Sequence, residues 1–524
     1  MMSNRFTDAL FNLIRSLEKS EKRHFKLYIK RSSSNENLKI IQLFDALDKM
    51  KEYDEAVLLK RLSPVTKPQL ANLKAHLYKQ LLASLRLLKT SVNIDLQLSE
   101  LLDNARVLYN KGLKLQSFKM LERAKELAKS NHKYNFLAQV ISLEKKIETL
   151  HITRSTLEKT ELLATEASEI SVHIERVIKL SNLALLLYRW YVENGYARNK
   201  EDEKGINEYF KEMLPPHPES ITDFYERLYL YQSYCWYAFI RQDFLQYYRY
   251  SKKWIDLFDA EPNMVNVETG HYVKGMHTLL NALFNLRNFQ QFQITLKKFI
   301  KFSQTETANT NDNFRIHTFI YISAAKINWH IMTGTFKEGL ALIADIEKGL
   351  EDYALYIDRH RVLVFNYKIA TLYFGNGDYE RCIDYLQKII NDNVNLRIDL
   401  QCYARLLHLM AHFELGNDVI LESLIKSVYR FMAKMKNLTV VEKEIFKFIR
   451  SSFNLSPKLL KSELEDFLNR IKHLEKNRYE TRAFAYMDII SWAESKVYDK
   501  PMSYIMQEKY RNSKKRNYQK AIPA

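Results

Sequence analysis

Glycine and proline are scarce, 11 and 9 in 524 residues, against usual shares of about 7% and 5%. Turns and helix breaks are therefore few, which favours long helices over a loop-rich architecture. Cysteine is scarcer still. Cys235, Cys382 and Cys402 stand alone in helix-like stretches with no CxxC spacing, so a disulfide framework is excluded and a reducing compartment is expected. No apolar run reaches 18 residues, and Leu183–Tyr188 is among the longest. A membrane span is therefore not expected. Arg5, Asp8 and Arg15 interrupt the first residues, so no signal peptide is read there and a cytoplasmic protein is the expectation. GxxxxGK[ST], GxGxxG and GxSxG are all absent, which leaves no P-loop, dinucleotide site or nucleophile elbow to build on.

What is present is hydrophobic and helix-forming. Hydrophobic residues make up 46% of the chain, enough to bury a large core. The length exceeds the roughly 250–300 residues at which a single core stops growing, so the chain is several domains or one elongated array. The formal net charge of +18 is concentrated at the ends. Residues 1–94 hold 18 Lys/Arg against 9 Asp/Glu, and residues 498–524 hold 7 against 2. Basic ends suit an acidic protein, an anionic surface or nucleic acid, or simply solubility.

The clearest internal unit is VLVFNYKIATLYFGNGDYERCIDYLQKII, residues 362–390. Apolar residues recur every three or four positions on both sides of Gly375-Asn376-Gly377-Asp378, which describes two amphipathic helices meeting at a tight turn. Comparable turn points fall at Gly112, near Arg154, at Gly195, Gln242, Arg287, Gly334, Gly377 and Gly416, and near Asn454, in steps of 38 to 47 residues. Four of them place an aromatic two residues later: Phe244, Phe289, Phe336 and Tyr379. Punctuation agrees with these boundaries. Ser456-Pro457 and Lys67-Pro68 read as helix starts, and Thr439 with Glu442 as a capping box. Pro215-Pro216-His217-Pro218 reads as a break, and residues 303–313 as a polar connection.

The 362–390 unit resembles a tetratricopeptide repeat (TPR). Ile369, Ala370, Tyr373, Gly377, Tyr379 and Leu386 stand at motif positions, while Asn366, Cys382 and Val394 depart from it. The period is longer than the repeat's 34 residues, so the array is TPR-like. Residues 1–92 differ, with helix-like stretches near 5–18, 20–30, 36–50 and 67–90. Their strings SLEKSEKRHFKLYIK, LFDALDKM, YDEAVLLKRL and LKAHLYKQLLASLR are similar to the start of uncharacterised TPR-like proteins of Bacteroidota, a resemblance that implies no activity.

Candidate chemistry is sparse. His408 and His412 share a helix face, but no third metal ligand is identifiable and no metal is expected. The run 224–258 interleaves rings such as Tyr234, Trp236 and Tyr250 with Arg241, Arg249 and Lys253. It reads as helix packing, with single-strand nucleic-acid stacking as the sharper alternative. In TPR-like stacks the first helix of each pair lines the concave surface. Six residues before successive turns stand Arg106, Arg189, Trp236, Asn281, Asn328, Thr371 and Met410. Asn281 and Asn328 match the place where peptide-binding members of that family carry an Asn contacting the ligand backbone, and an amide both donates and accepts.

The expected fold is all-α: a basic N-terminal helical module (1–92), a TPR-like α-solenoid of about nine helix hairpins (93–477), a capping helix (478–497) and a basic tail (498–524), partly disordered. The expected function is a non-enzymatic scaffold holding a protein or extended peptide in its concave groove, with Arg189, Trp236, Asn281, Asn328 and Thr371 as groove residues and no cofactor. The alternative is a nucleic-acid-associated regulatory protein that uses its basic ends.

Overall fold

The structure is a computed structural model in which residues 8–31, 35–151, 157–354, 356–392, 397–435, 437–453 and 455–520 are described. It is 82% helical, with no strand among the described residues, and the protein is all-α. Two compact units, Met1–Val172 and His173–Ala524, divide within one 38-residue helix, Leu157–Asn194.

The first unit opens with α1 (Ala9–Ser16), α2 (Lys19–Lys30), α3 (Asn35–Asp48), α4 (Glu55–Arg61) and α5 (Lys67–Lys89). Four of these match the helix-like stretches of the sequence, and α4 is additional. Their starts are set by local chemistry. The Asp8 and Asp54 carboxylates accept from backbone N–H groups of α1 and α4, and capping boxes at Glu18/Glu21 and Thr66/Gln69 start α2 and α5. Phe11, Ile14, Phe25, Phe44 and Leu77 meet in their shared core. Next come α6 (Ile94–Asn110), α7 (Lys114–Ser130) and α8 (Tyr134–Leu150). α6 and α7 form a hairpin about Gly112, and the turn between α7 and α8 has left-handed His132, a further turn that no glycine marks in the sequence. α9 (Leu157–Asn194) follows. Lys125 on α7 pairs with Glu144 of α8 at 3.1 Å and with Glu166 of α9 at 2.5 Å.

In the second unit α9 is followed by α10 (Lys200–Met213), α11 (Phe224–Ile240), α12 (Phe244–Ala260), the short α13 (Met264–Val267), α14 (Thr269–Asn285) and α15 (Phe289–Ser303). Then come α16 (Glu306–Asn309), α17 (Asp312–Thr333), α18 (Phe336–Leu340), α19 (Ile343–Asp352), α20 (Arg359–Asn376) and α21 (Tyr379–Ile390). Beyond them lie α22 (Ile398–Glu414), α23 (Asp418–Lys434), α24 (Val440–Ser451) and α25 (Pro457–Lys472). Successive partners pack against one another in chain order from α11–α12 to α24–α25. α16 sits inside the polar connection expected at 303–313, and the proline break follows the end of α10.

The turn residues identified from spacing hold where they are described. Gly112, Gly195, Gln242, Arg287, Gly334, Gly377 and Gly416 all have φ between 49° and 82°, and the points near Arg154 and Asn454 lie outside the described residues. Gln242 and Arg287 adopt the left-handed region without being glycine, at a cost of about 1–2 kcal/mol each. The aromatics two residues on, Phe244, Phe289, Phe336 and Tyr379, each begin the second helix of their pair. Phe336 lies on Gly375, where an added Cβ would meet its ring at 2.3 Å.

The capping box at Thr439/Glu442 starts α24 as expected. Glu442 is fully buried and also accepts a 2.7 Å hydrogen bond from Tyr403 Oη. Thr439→Ala should cost about 1 kcal/mol, read as a lowered urea midpoint with unchanged slope.

The C-terminal region corrects the expected organisation. No single capping helix spans 478–497. A 3₁₀ turn (His473–Lys476) leads to α26 (Thr481–Tyr486) and α27 (Ile489–Val497), parted at extended Met487. The expected tail is instead α28 (Met502–Lys520), because Met506 packs on Gly334 and Tyr510 packs against Phe289 and Trp329, at 4.9 and 5.8 Å. Residues 521–524 lie outside the described residues.

Candidate functional site

The positions six residues before the turns do not all serve one surface. Arg106 is on α6 in the first unit and bonds Asp103 at 3.0 Å. Arg189 is exposed and pairs with Glu193 one turn along its own helix at 2.8 Å. It is the neighbouring Tyr188 that meets Trp236, with ring centroids 5.1 Å apart. Met410 is buried. Thr371 donates to the Tyr367 carbonyl at 2.9 Å and lines a cavity of about 350 Å³.

Trp236 and Asn328 meet aromatic or polar groups of neighbouring helices, as Arg106 does through Gln139 of α8, while Asn281 bonds within its own helix. Trp236 is half-buried on α11 and contacts Tyr188 and Tyr191 of α9. On α14 the Asn281 amide donates to His277 Nε2 at 3.0 Å. His277 lies flat on Tyr321 of α17, centroids 4.0 Å apart and planes 11° from parallel. On α17 Asn328 is 4% exposed, and its Oδ1 accepts from Lys368 Nζ of α20.

Lys274, His277, Tyr321, Arg361 and Lys368 complete this surface, and the sequence had not singled them out. Burial, then the charges of Lys368, Arg361 and Lys274, push the His277 pKa down to about 3, so its ring is neutral. Burial and the Arg397 charge bring the Lys368 ammonium down to about 8. The surface is therefore electropositive, with a neutral imidazole and two amides among its cations.

A second feature is the C-terminal segment, which runs along the row of hairpin turns. Arg478 and Tyr479 reach Glu203 of α10, which also accepts from Arg241. Burial would raise the Glu203 pKa, but these three donors lower it to about 2. Thr481 Oγ1 donates to the Gln242 side chain at 2.9 Å. Gln242 in turn donates to the Ala197 carbonyl at 3.2 Å, which gives this left-handed non-glycine a second role. Arg287, the next turn residue, pairs with Asp488 at 2.9 Å. Gln507 donates to the carbonyl of Gly334 at 3.1 Å.

The centre of that contact is charged and buried. Asp399 on α22 lies 2.8 Å from Arg397 and 3.3 Å from Arg482, and Tyr486 Oη donates to it at 2.5 Å. Burial alone would raise the Asp399 pKa, yet Arg397 and Arg482 hold it well below the usual carboxylate range. The Tyr486 ring stacks on Tyr403 at 4.2 Å.

The remaining candidates fall elsewhere. The His408 and His412 rings lie edge to face at 4.5 Å, and no group of three or more His, Cys, Asp or Glu able to hold a metal occurs among the described residues. All three cysteines are buried, and burial pushes their thiols upward, away from nucleophilic thiolates. In the aromatic run, Phe224, Trp254 and Phe258 are core, and Tyr234 stacks on Tyr250 at 4.0 Å. No helix is long and apolar enough to cross a membrane among the described residues. No protein-family model matches the chain, and no curated protein matches it.

Proposed function

We propose that the chain is a non-enzymatic, cytoplasmic scaffold built as a TPR-like α-solenoid, holding a protein or extended peptide along the face formed by α11, α14, α17 and α20. The observation that supports this reading is that Trp236, Asn281 and Asn328 share the same register of consecutive first helices, with Asn281 on His277, which stacks on Tyr321, and Asn328 on Lys368. A peptide backbone presents N–H donors and carbonyl acceptors in alternation, and an amide side chain answers both. The half-buried rings of Trp236 and Tyr321 supply apolar contact of the kind that dominates interfaces.

The alternative role for the basic N-terminal module, gripping nucleic-acid phosphates, is weakened by its ion pairs. Lys22, Lys26, Lys74 and Lys89 are tied to Asp48, Asp45, Asp8 and Glu21, leaving fewer free cations for phosphates.

Trp236→Ala combined with Asn281→Ala tests the surface. The double variant should bind the protein's cellular partner at least about tenfold more weakly, a hot-spot effect, while melting within a few degrees of wild type. A collapse of the melting temperature would mean that these residues are core; unchanged binding by a folded variant would place the partner elsewhere.

A further inference from the structure

A cleft of about 300 Å³ opens between α17 and α19, away from the Trp236 and Asn328 face. Arg315, Thr318, Phe319, Ile322, Ser323 and Lys326 of α17 line it, at the three- and four-residue spacing of one helix side. Tyr321 and Asn328 lie elsewhere around the same helix. Leu342, Asp345 and Ile346 of α19 form the facing wall. The chain reverses at Gly334, and a Cβ added to Gly349 would meet the Phe319 ring. Counting along both helices from that contact brings Ile346 near Ile322 and Asp345 near Ser323, within about a turn of Lys326.

Phe319, Ile322, Leu342 and Ile346 make the walls chiefly apolar, and three polar groups among them are uncommitted. Thr318 is 3% exposed, and its Oγ1 has no hydrogen-bond partner among the described residues. Thr278, Thr333 and Thr371, by contrast, each donate to a carbonyl one turn back on their own helix. Lys326 and Asp345 are exposed, and neither forms an ion pair among the described residues. Other polar groups of the lining are engaged: Arg315 with Asp312, Asn309 with the Ser303 and Thr305 carbonyls at 3.0 and 2.8 Å, and Ser303 with the Ile300 carbonyl at 2.6 Å. The cleft thus offers a cation and an anion at one end. Toward the other, roughly 12 Å along α17 from Lys326, it offers a buried hydroxyl. Leaving that hydroxyl unbonded is unfavourable, and a ligand group in the cleft would answer it.

We infer that this cleft binds a free α-amino acid whose long, chiefly apolar side chain ends in a hydroxyl, tyrosine being the best natural match. The ligand's carboxylate meets Lys326 and its ammonium meets Asp345. Its ring lies among Phe319, Ile322 and Ile346, an apolar body held by a few placed polar groups. Its hydroxyl reaches Thr318 Oγ1, where either oxygen can donate. A simple carboxylate or a simple amine would leave one of the two charges unanswered, and a wholly apolar side chain would leave Thr318 unbonded. A residue inside a peptide carries neither backbone charge, so this site is separate from the peptide-binding face, and its failure would leave the scaffold reading standing.

Equilibrium dialysis of the full-length protein against radiolabelled L-tyrosine tests the inference, with tyramine, 3-(4-hydroxyphenyl)propionate and L-phenylalanine as competitors. Wild type should bind tyrosine at one saturable site. Tyramine lacks the carboxylate and the propionate lacks the ammonium, so each should compete at least about tenfold more weakly, the loss of one charge-assisted contact. Phenylalanine should compete about fivefold more weakly, the loss of one neutral hydrogen bond. Lys326→Met and Asp345→Asn should each weaken tyrosine binding at least about tenfold. Thr318→Val should weaken tyrosine about fivefold and leave phenylalanine unchanged. Because the three side chains hold no partner in the fold among the described residues, the variants should melt within a few degrees of wild type. No saturable tyrosine binding by wild type would overturn the inference. So would equal binding by wild type and the Lys326→Met/Asp345→Asn double variant, or phenylalanine competing as well as tyrosine.

Discussion

Asp399→Asn is expected to destabilise the second unit by about 3–5 kcal/mol, the usual effect of removing one partner from a buried ion pair. Asn preserves the size of the side chain, so the loss comes from charge. Without the carboxylate, Arg397 and Arg482 face each other in a site where Asp399 and Arg482 are 9% and 11% exposed, and Tyr486 Oη keeps only a weaker acceptor. Arg482 and Tyr486 belong to the C-terminal segment, so its packing on α22 should loosen together with the global loss. Proteolysis should accordingly become faster near residues 478–488. The pH dependence has a definite sign. The folded Asp399 pKa lies below its unfolded value of about 3.9, so its contribution is full above that value and falls away as pH drops through the folded pKa. The stability difference between wild type and Asp399→Asn should be largest near neutral pH and shrink below about pH 4. Arg189→Ala is the contrast, since its pair with Glu193 is exposed and its removal should leave stability indistinguishable from wild type.

Gly334→Ala is the second large effect, and Gly377→Ala is its control. Both glycines are left-handed, at φ 73° and 82°, so each alanine incurs the same backbone penalty of about 1 kcal/mol. They differ in what a Cβ would meet. At Gly377 nothing lies within 4 Å, whereas at Gly334 the new carbon would lie 2.6 Å from Met506 Cβ and 2.9 Å from the Ser503 carbonyl oxygen. Those atoms belong to α28, whose backbone must shift to make room, adding about 1–3 kcal/mol. Gly377→Ala should therefore lower stability by about 1 kcal/mol and Gly334→Ala by about 2–4 kcal/mol, read from urea midpoints. Similar values for the two would show that α28 does not bear on that turn in solution.

The hairpins were legible because their determinants are local. A left-handed residue, an aromatic two positions on and apolar spacing on either side recur within one segment, and they located even Gln242 and Arg287, where no glycine marks the turn. The C-terminal segment was not legible for the opposite reason. Its helices are 6 and 9 residues long, too short to show a period, and its ties reach far along the chain, 201 residues from Arg287 to Asp488 and 276 from Glu203 to Tyr479. What could have flagged it is the density of Tyr479, Phe484, Tyr486, Ile489, Ile490 and Trp492 within 478–497, more apolar surface than one short capping helix presents on a single face.

The candidate surface was half legible. Register alone selected Asn281 and Asn328, because the turns fix the phase of each first helix. The same register selected Arg189, where the side chain facing Trp236 is Tyr188, one position away on a much longer helix. Lys368 carried no signal, since a single lysine on a helix reads as solvated until the neighbouring helix places Asn328 beside it.

The most direct test of the scaffold reading is hydrogen exchange on the full-length protein, with and without a partner captured from native lysate by the tagged chain after nuclease treatment and a high-salt wash. One stoichiometric protein partner is expected, slowing exchange in α11, α14, α17 and α20, with protection reduced in the Trp236→Ala/Asn281→Ala variant. Protection confined to α1–α5 or α28, or recovery only of nucleic acid that nuclease or salt removes, would contradict it.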